Sequence, residues 1–255
     1  ELGMNVEAAY PWITREHVYE HAHVSLHFFE VPAWKGEIRD HVHAALSWQR
    51  ADAMTVEPML PANGPILKAL RLPRTMGITH AGEIGVATQL ARLDTALAGG
   101  LRLVQIREAG LAADERKAFA EAVVLRCSAV GALVVVNDDM ELARLAKADG
   151  LHLPARRLAE LDERPDFEWV GASCHNRAEL EKAAALGFDY AVLGNVKPSL
   201  SHPERAPLGW EAFGGMIGKL PLPVFALGGL ATNDLTDAKT AGAHGIAAIR
   251  SIWQG

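Results

Sequence analysis

Cysteine is almost missing from these 255 residues: Cys127 and Cys174 are the only two, one in a predicted helix and one at a predicted strand end. That pair gives no disulfide framework and suits a reducing compartment. No apolar run approaches the roughly 20 residues that a helix needs to span a bilayer, and no basic stretch leads into an apolar one as in a secretory leader. The expectation is a soluble, cytoplasmic protein with no membrane partner. Positive charge is also in deficit, with 25 Lys and Arg against 31 Asp and Glu and a formal net charge of −6. Direct nucleic-acid binding needs a basic face that releases counterions, so that role is excluded here. An anionic ligand would have to be met by a few local cations. A starting methionine is lacking too: the chain opens Glu1-Leu2-Gly3 and is expected to be a fragment of a longer one.

What is present is regular. With 49% hydrophobic and 22% charged residues the composition is that of an ordinary globular protein. From Met76 onward a short apolar strand, a loop and an amphipathic helix recur, predicting strands near 76–80, 101–107, 133–138, 150–154, 169–174, 190–196, 223–228 and 245–251. Helices are expected at 82–98, 113–130, 140–147, 156–162, 176–186, 209–219 and 233–242, with Gly100, Gly131, Gly150 and Gly187 near their C-terminal ends, where glycine takes a left-handed cap cheaply. Runs such as Leu133-Val134-Val135-Val136 are apolar on both faces, as strands covered on both sides must be. The fold class expected is α/β, a (β/α)8 TIM barrel, with an open doubly wound sheet as the runner-up. No helix follows the last strand, and the N-terminal region is the nearest candidate to cover it. The strands end on polar or glycine clusters, and in a closed parallel barrel those ends meet at one mouth.

Five of these ends, Gln105-Ile106-Arg107-Glu108, Asn137-Asp138-Asp139, Gly150-Leu151-His152-Leu153, Ser173-Cys174-His175-Asn176 and Leu227-Gly228-Gly229-Leu230, resemble the thiamine phosphate synthase and thiazole tautomerase superfamily over residues 76–255. The resemblance implies small phosphorylated partners, an aminopyrimidine diphosphate and a thiazole phosphate, joined with Mg2+ as cofactor through ionisation of the diphosphate. It makes Arg107 and Asn137 contacts of the diphosphate, Asp138 a magnesium ligand, and Gln105 and Ser173 substrate contacts. Planar guanidinium groups suit such anions. Gly228 and Gly229, with Arg250 and Ser251, follow strands seven and eight, where barrels often bind a phosphate.

Other positions depart from the synthase pattern. Ala109 replaces a lysine, Arg157 stands where a second magnesium carboxylate belongs, and the loop Ser199-Leu200-Ser201-His202 keeps hydroxyls but ends on histidine rather than lysine. Losing one preorganised donor to a developing anion costs about 2.7–4 kcal/mol, so synthase chemistry should be weakened, with Arg157 offsetting part of the loss at the diphosphate. Tautomerase chemistry asks for a phosphate anchor and an acid–base group, and His175 matches the catalytic histidine of that branch. Cys174 reads more simply as a small core residue. Asn137 and Asp138 could also serve only to cap the helix near Met140, and His152 could be a buried core histidine. The competing class is a ligand-sensing or structural barrel without turnover.

Residues 1–70 resemble the C-terminal half of a Nudix hydrolase of the 8-oxo-dGTP type, joined through a linker at 71–75. A strand run from His23 to Trp34, a turn at Lys35-Gly36-Glu37, a strand at 45–49 and a helix from Ile66 to Leu70 after Pro61-Ala62-Asn63-Gly64-Pro65 follow that family's order. The resemblance makes Glu1 a surviving metal ligand, Asn63 the contact to an oxidised purine nucleotide, and the parent protein bifunctional. Val24, Leu26 and Phe28 share one face of the strand, and His21, His23 and His27 share the other. Solvent-facing histidines are the simpler reading of that patch. Homo-oligomerisation is left open by the sequence.

Overall fold

The computed structural model describes residues 2–39, 41, 45–199 and 206–254. Eight parallel strands close into a barrel: β3 (Thr75–Ile78), β4 (Leu103–Ile106), β5 (Leu133–Asn137), β6 (Gly150–Leu153), β7 (Trp169–Cys174), β8 (Tyr190–Gly194), β9 (Val224–Leu227) and β10 (Gly245–Ala248), with β10 returning to β3. Closure, not the open sheet, is therefore the architecture, and it leaves no free edge among these strands.

Two apolar layers hold it. Between strands and helices lie Val104, Val134, Val136, Leu151, Val170, Leu193 and Ala226, packed on Leu93, Phe119, Leu180 and Phe213 of the surrounding helices. The barrel interior is filled by Met76, Ile78, Leu103, Val135, Trp169, Tyr190, Val192, Phe225 and Ala247. Alternate positions of each strand feed the two layers, as the period of two requires. The bulky interior side chains fit because small ones face them: a Cβ on Gly171 would overlap the Tyr190 ring.

Gly100, Gly131 and Gly187 have φ values of +98°, +66° and +72° at helix ends. Gly150 does not cap a helix. It opens β6, where a Cβ would overlap the Trp169 backbone of β7. The helix expected at 82–98 is two, α2 (Ala81–Ile84) and α3 (Val86–Ala98), broken at Gly85 with φ +86°. The cap of α5 (Met140–Leu145) is Asp139, whose Oδ1 accepts from Leu142 N at 2.9 Å; Asn137 and Asp138 are left for other work.

The N-terminal region forms a long antiparallel hairpin, β1 (Asn5–Tyr19) and β2 (Ala22–Lys35), followed after an irregular stretch by α1 (Gly64–Leu70). His21 sits in the hairpin turn rather than on β2, and 45–49 is not a strand. The N-terminal region reaches the start of the last strand, where Trp12 Nε1 donates to His244 Nδ1 at 3.2 Å. Trp253, 1% exposed, covers β3, donating Nε1–H to Ile78 O at 2.8 Å. The hairpin and α1 instead close the far end of the barrel: Ile13, Ile66 and Ala69 pack together there, Thr14 N donates to Leu220 O, and Lys68 Nζ donates to Glu168 O at the base of β7. Leu72, between α1 and β3, is buried in the interior layer.

Candidate active site

With one end plugged, the opposite mouth carries a cavity of about 940 Å³. Its wall is built strand by strand from C-terminal ends: Gln105 and Arg107 after β4, Asn137 on β5, His152 on β6, Ser173 and His175 on β7, Asn195 after β8, Gly228 and Gly229 after β9, Arg250 and Ser251 after β10, with Ser199 on the loop beyond β8. Ten of the sequence-expected positions thus share one space. Asp138, Arg157 and Asn63 do not line it: Asn63 lies beside α1 at the plugged end, its Nδ2 directed at Met59 Sδ. Glu1, Ser201 and His202 lie outside the described residues.

Each group is positioned by bonds that the apolar pattern does not reveal. Arg107 N donates to Thr79 Oγ1, and the neighbouring Glu108, 6% exposed, accepts from Ala81 N at 2.7 Å and Gly82 N at 2.9 Å. That carboxylate ties the loop after β3 to β4 and so fixes one side of the mouth. Gly228 and Gly229 have φ +104° and +63°, and side chains there would run into Asn195 and Pro198 O. Only glycine leaves both the turn and the cavity open. Ser251 Oγ donates to Leu230 O at 2.7 Å, holding the loops after β9 and β10 side by side, while Arg250 reaches Glu83 at 2.9 Å.

Burial sorts the remaining groups. His152 is 1% exposed and its pKa is lowered to about 3, first by burial and then by the Arg107 charge. Its ring nitrogens lie 3.1 Å from Tyr190 Oη and 2.9 Å from Ser173 Oγ. A buried core histidine is therefore right, but one wired to the cavity wall. Cys174 touches the cavity, yet burial pushes its thiol up to about 12, so it is no nucleophile near neutrality. His175 is exposed at the rim, its backbone N donating to Glu179 Oε2.

Asp138 was expected to hold Mg2+. It has φ +59°, and its two carboxylate oxygens accept from Arg156 and Arg157. Among the described residues no group of three His, Cys, Asp or Glu is placed to hold a metal. Mg2+ on protein usually needs one or two free carboxylates; here Asp138 is engaged by two guanidinium groups, and Glu83, which lines the cavity, is engaged by Arg250. These residues do not fit a magnesium site. Arg156, which no strand-end motif marks, lines the cavity and brings a cation to that side.

A sequence model of the thiamine monophosphate synthase family, TMP-TENI, matches residues 75–252. The chain belongs to this family of enzymes. A thiamine-phosphate synthase of Chromobacterium violaceum is 37% identical over 194 residues, 71% of this chain and 90% of that protein. A putative thiamine-phosphate synthase of Geobacter sulfurreducens is 35% identical over 181 residues, covering 69% and 84%. Among solved structures, the thiamine phosphate pyrophosphorylase of Pyrococcus furiosus superposes with a TM-score of 0.59 at 22% identity, over 71% of this chain and 90% of that one, a likeness of fold. The family match begins at β3.

Proposed function

We propose that this member of the thiamine phosphate synthase family binds a thiazole phosphate in the mouth cavity and carries out synthase or thiazole tautomerase chemistry on it. The observation that carries the reading is the single cavity in which Arg107, Asn137 and Ser173 on one side face Gly228, Gly229, Arg250 and Ser251 on the other. The thiazole phosphate would sit on the second group, where backbone amides at a glycine turn suit an anion. Were an aminopyrimidine diphosphate to ionise there, Arg107 and Arg156 would take up the charge of the departing diphosphate, with Asn137 and Ser173 supplying neutral contacts. For tautomerisation, His175 at the rim would move the proton. The test is a steady-state assay with both thiazole substrates: turnover of either supports the reading, and His175→Ala separates its branches, because it should cost tautomerisation about a hundredfold or more and ionisation far less. Binding with no conversion of either would favour the sensing barrel instead.

For residues 1–70 we propose a partial Nudix module whose parent protein would hydrolyse an oxidised nucleotide. Support comes from the order of elements, β2 ending at Lys35, Gly36 turning with φ +91°, and α1 opening after Pro61-Ala62-Asn63. A cytoplasmic setting accords with two free, buried cysteines and with the finding that no helix among the described residues is long and apolar enough to cross a membrane.

A further inference from the structure

From Tyr190 in the barrel interior to His152 and Ser173 in the cavity wall runs a file of hydrogen-bonding groups, and only Ser173 is not buried. Tyr190 is fully buried, and among the described residues the one partner of its hydroxyl is His152 Nδ1 at 3.1 Å. A buried hydroxyl proton left without an acceptor is costly, so Tyr190 donates and Nδ1 accepts. A neutral imidazole with Nδ1 as acceptor carries its proton on Nε2. The remaining bond, 2.9 Å to Ser173 Oγ, is therefore donated by the histidine. Ser173 has then used an oxygen lone pair, and its own proton is free to turn into the cavity.

We infer that Tyr190 and His152 are positioning residues that orient Ser173 as a hydrogen-bond donor toward an acceptor oxygen of the bound ligand, of the kind a phosphate or diphosphate presents. The inference deepens the proposed function and rests on its placing of an oxyanion in this cavity. Burial of the imidazole, together with the Arg107 charge nearby, keeps it neutral and so keeps the direction fixed. The opposite tautomer would present Ser173 as an acceptor, which would repel an anion. Removing the tyrosine hydroxyl frees His152 Nδ1 from its donor and lets both tautomers form.

Nitrogen–proton correlation spectroscopy of the histidine rings reads the tautomer in the 255-residue chain without added ligand. The His152 signal is assigned by its shift in Ser173→Ala, which removes the hydroxyl beside Nε2. The expected result is a proton on Nε2 at every pH between about 5 and about 8. A proton on Nδ1, or protonation of both nitrogens within that range, would overturn the inference, whether or not any thiazole is converted. A second measurement uses inorganic diphosphate as the probe: Tyr190→Phe should weaken its binding roughly tenfold, in the same direction as Ser173→Ala. Equal affinity in Tyr190→Phe and the unaltered protein would show that the file does not orient Ser173.

Discussion

Asp138 sits one residue beyond β5 with a left-handed backbone, an uncommon state for a side chain other than glycine. That turn sends its carboxylate to Arg156 and Arg157 and leaves Asn137 facing the cavity. Both arginines are more than half exposed, so neither pair is worth much on its own. What the carboxylate does is neutralise cations at the rim. Asp138→Ala should therefore tighten binding of inorganic diphosphate about three- to tenfold, read by calorimetric titration in the presence and absence of Mg2+. Lost binding, restored only by the aspartate with metal, would mean that Asp138 acts through magnesium. Arg107→Ala should weaken the same titration about ten- to a hundredfold, since a guanidinium–phosphate contact is charge-assisted.

At the scale of elements, the loops are fixed by single carboxylates and glycines. Glu108 satisfies two amides at the start of α2, that of Ala81 buried, so Glu108→Ala should cost about 1–3 kcal/mol in urea unfolding and loosen the mouth beside Arg107. A loss under about 0.5 kcal/mol would remove that role. The strands and most helices were legible in the sequence because burial on two faces writes a period that needs no knowledge of neighbours. Gly100, Gly131 and Gly187 were legible as caps for the same local reason. Gly150 and Gly171 were not, since what each makes room for is a side chain or backbone of the next strand in the barrel. The place of Trp253 was not legible either: nothing near it in sequence says that a three-residue turn, Ser251–Trp253, will cover β3. At the site, strand-end motifs pointed to the cavity groups, whereas Arg156 and the Tyr190 hydroxyl depend on how loops and layers meet.

Across the whole molecule, the hairpin and barrel meet at a second buried histidine. His244 Nδ1 takes a hydrogen bond from Trp12 Nε1 at 3.2 Å and lies 3.0 Å from Arg74 Nη1, while its Nε2 faces Leu72 O at 3.0 Å. Burial first, and Arg74 next, lower its pKa well below 6.5, so it is neutral in the fold. His152 is neutral as well, with a pKa of about 3. Both folded values lie below the unfolded one, so on acidification the unfolded chain takes up protons that the folded chain refuses. Stability is full above about pH 6.5 and falls below it, by up to about 1.4 kcal/mol per pH unit for each histidine, until the folded pKa is reached. Urea unfolding at a series of pH values should show that slope between about pH 6 and about pH 4, and His244→Asn should reduce it by half. A flat profile would mean that one or both rings are protonated in the fold.

Calorimetric titration of the protein with a thiazole phosphate tests most directly whether the mouth, and no other surface, receives that compound. One site is expected, weakened at least tenfold in Ser251→Ala or Gly229→Ala and unchanged in Arg15→Ala at the plugged end. No detectable binding, or binding that is the same in all four proteins, would contradict the account.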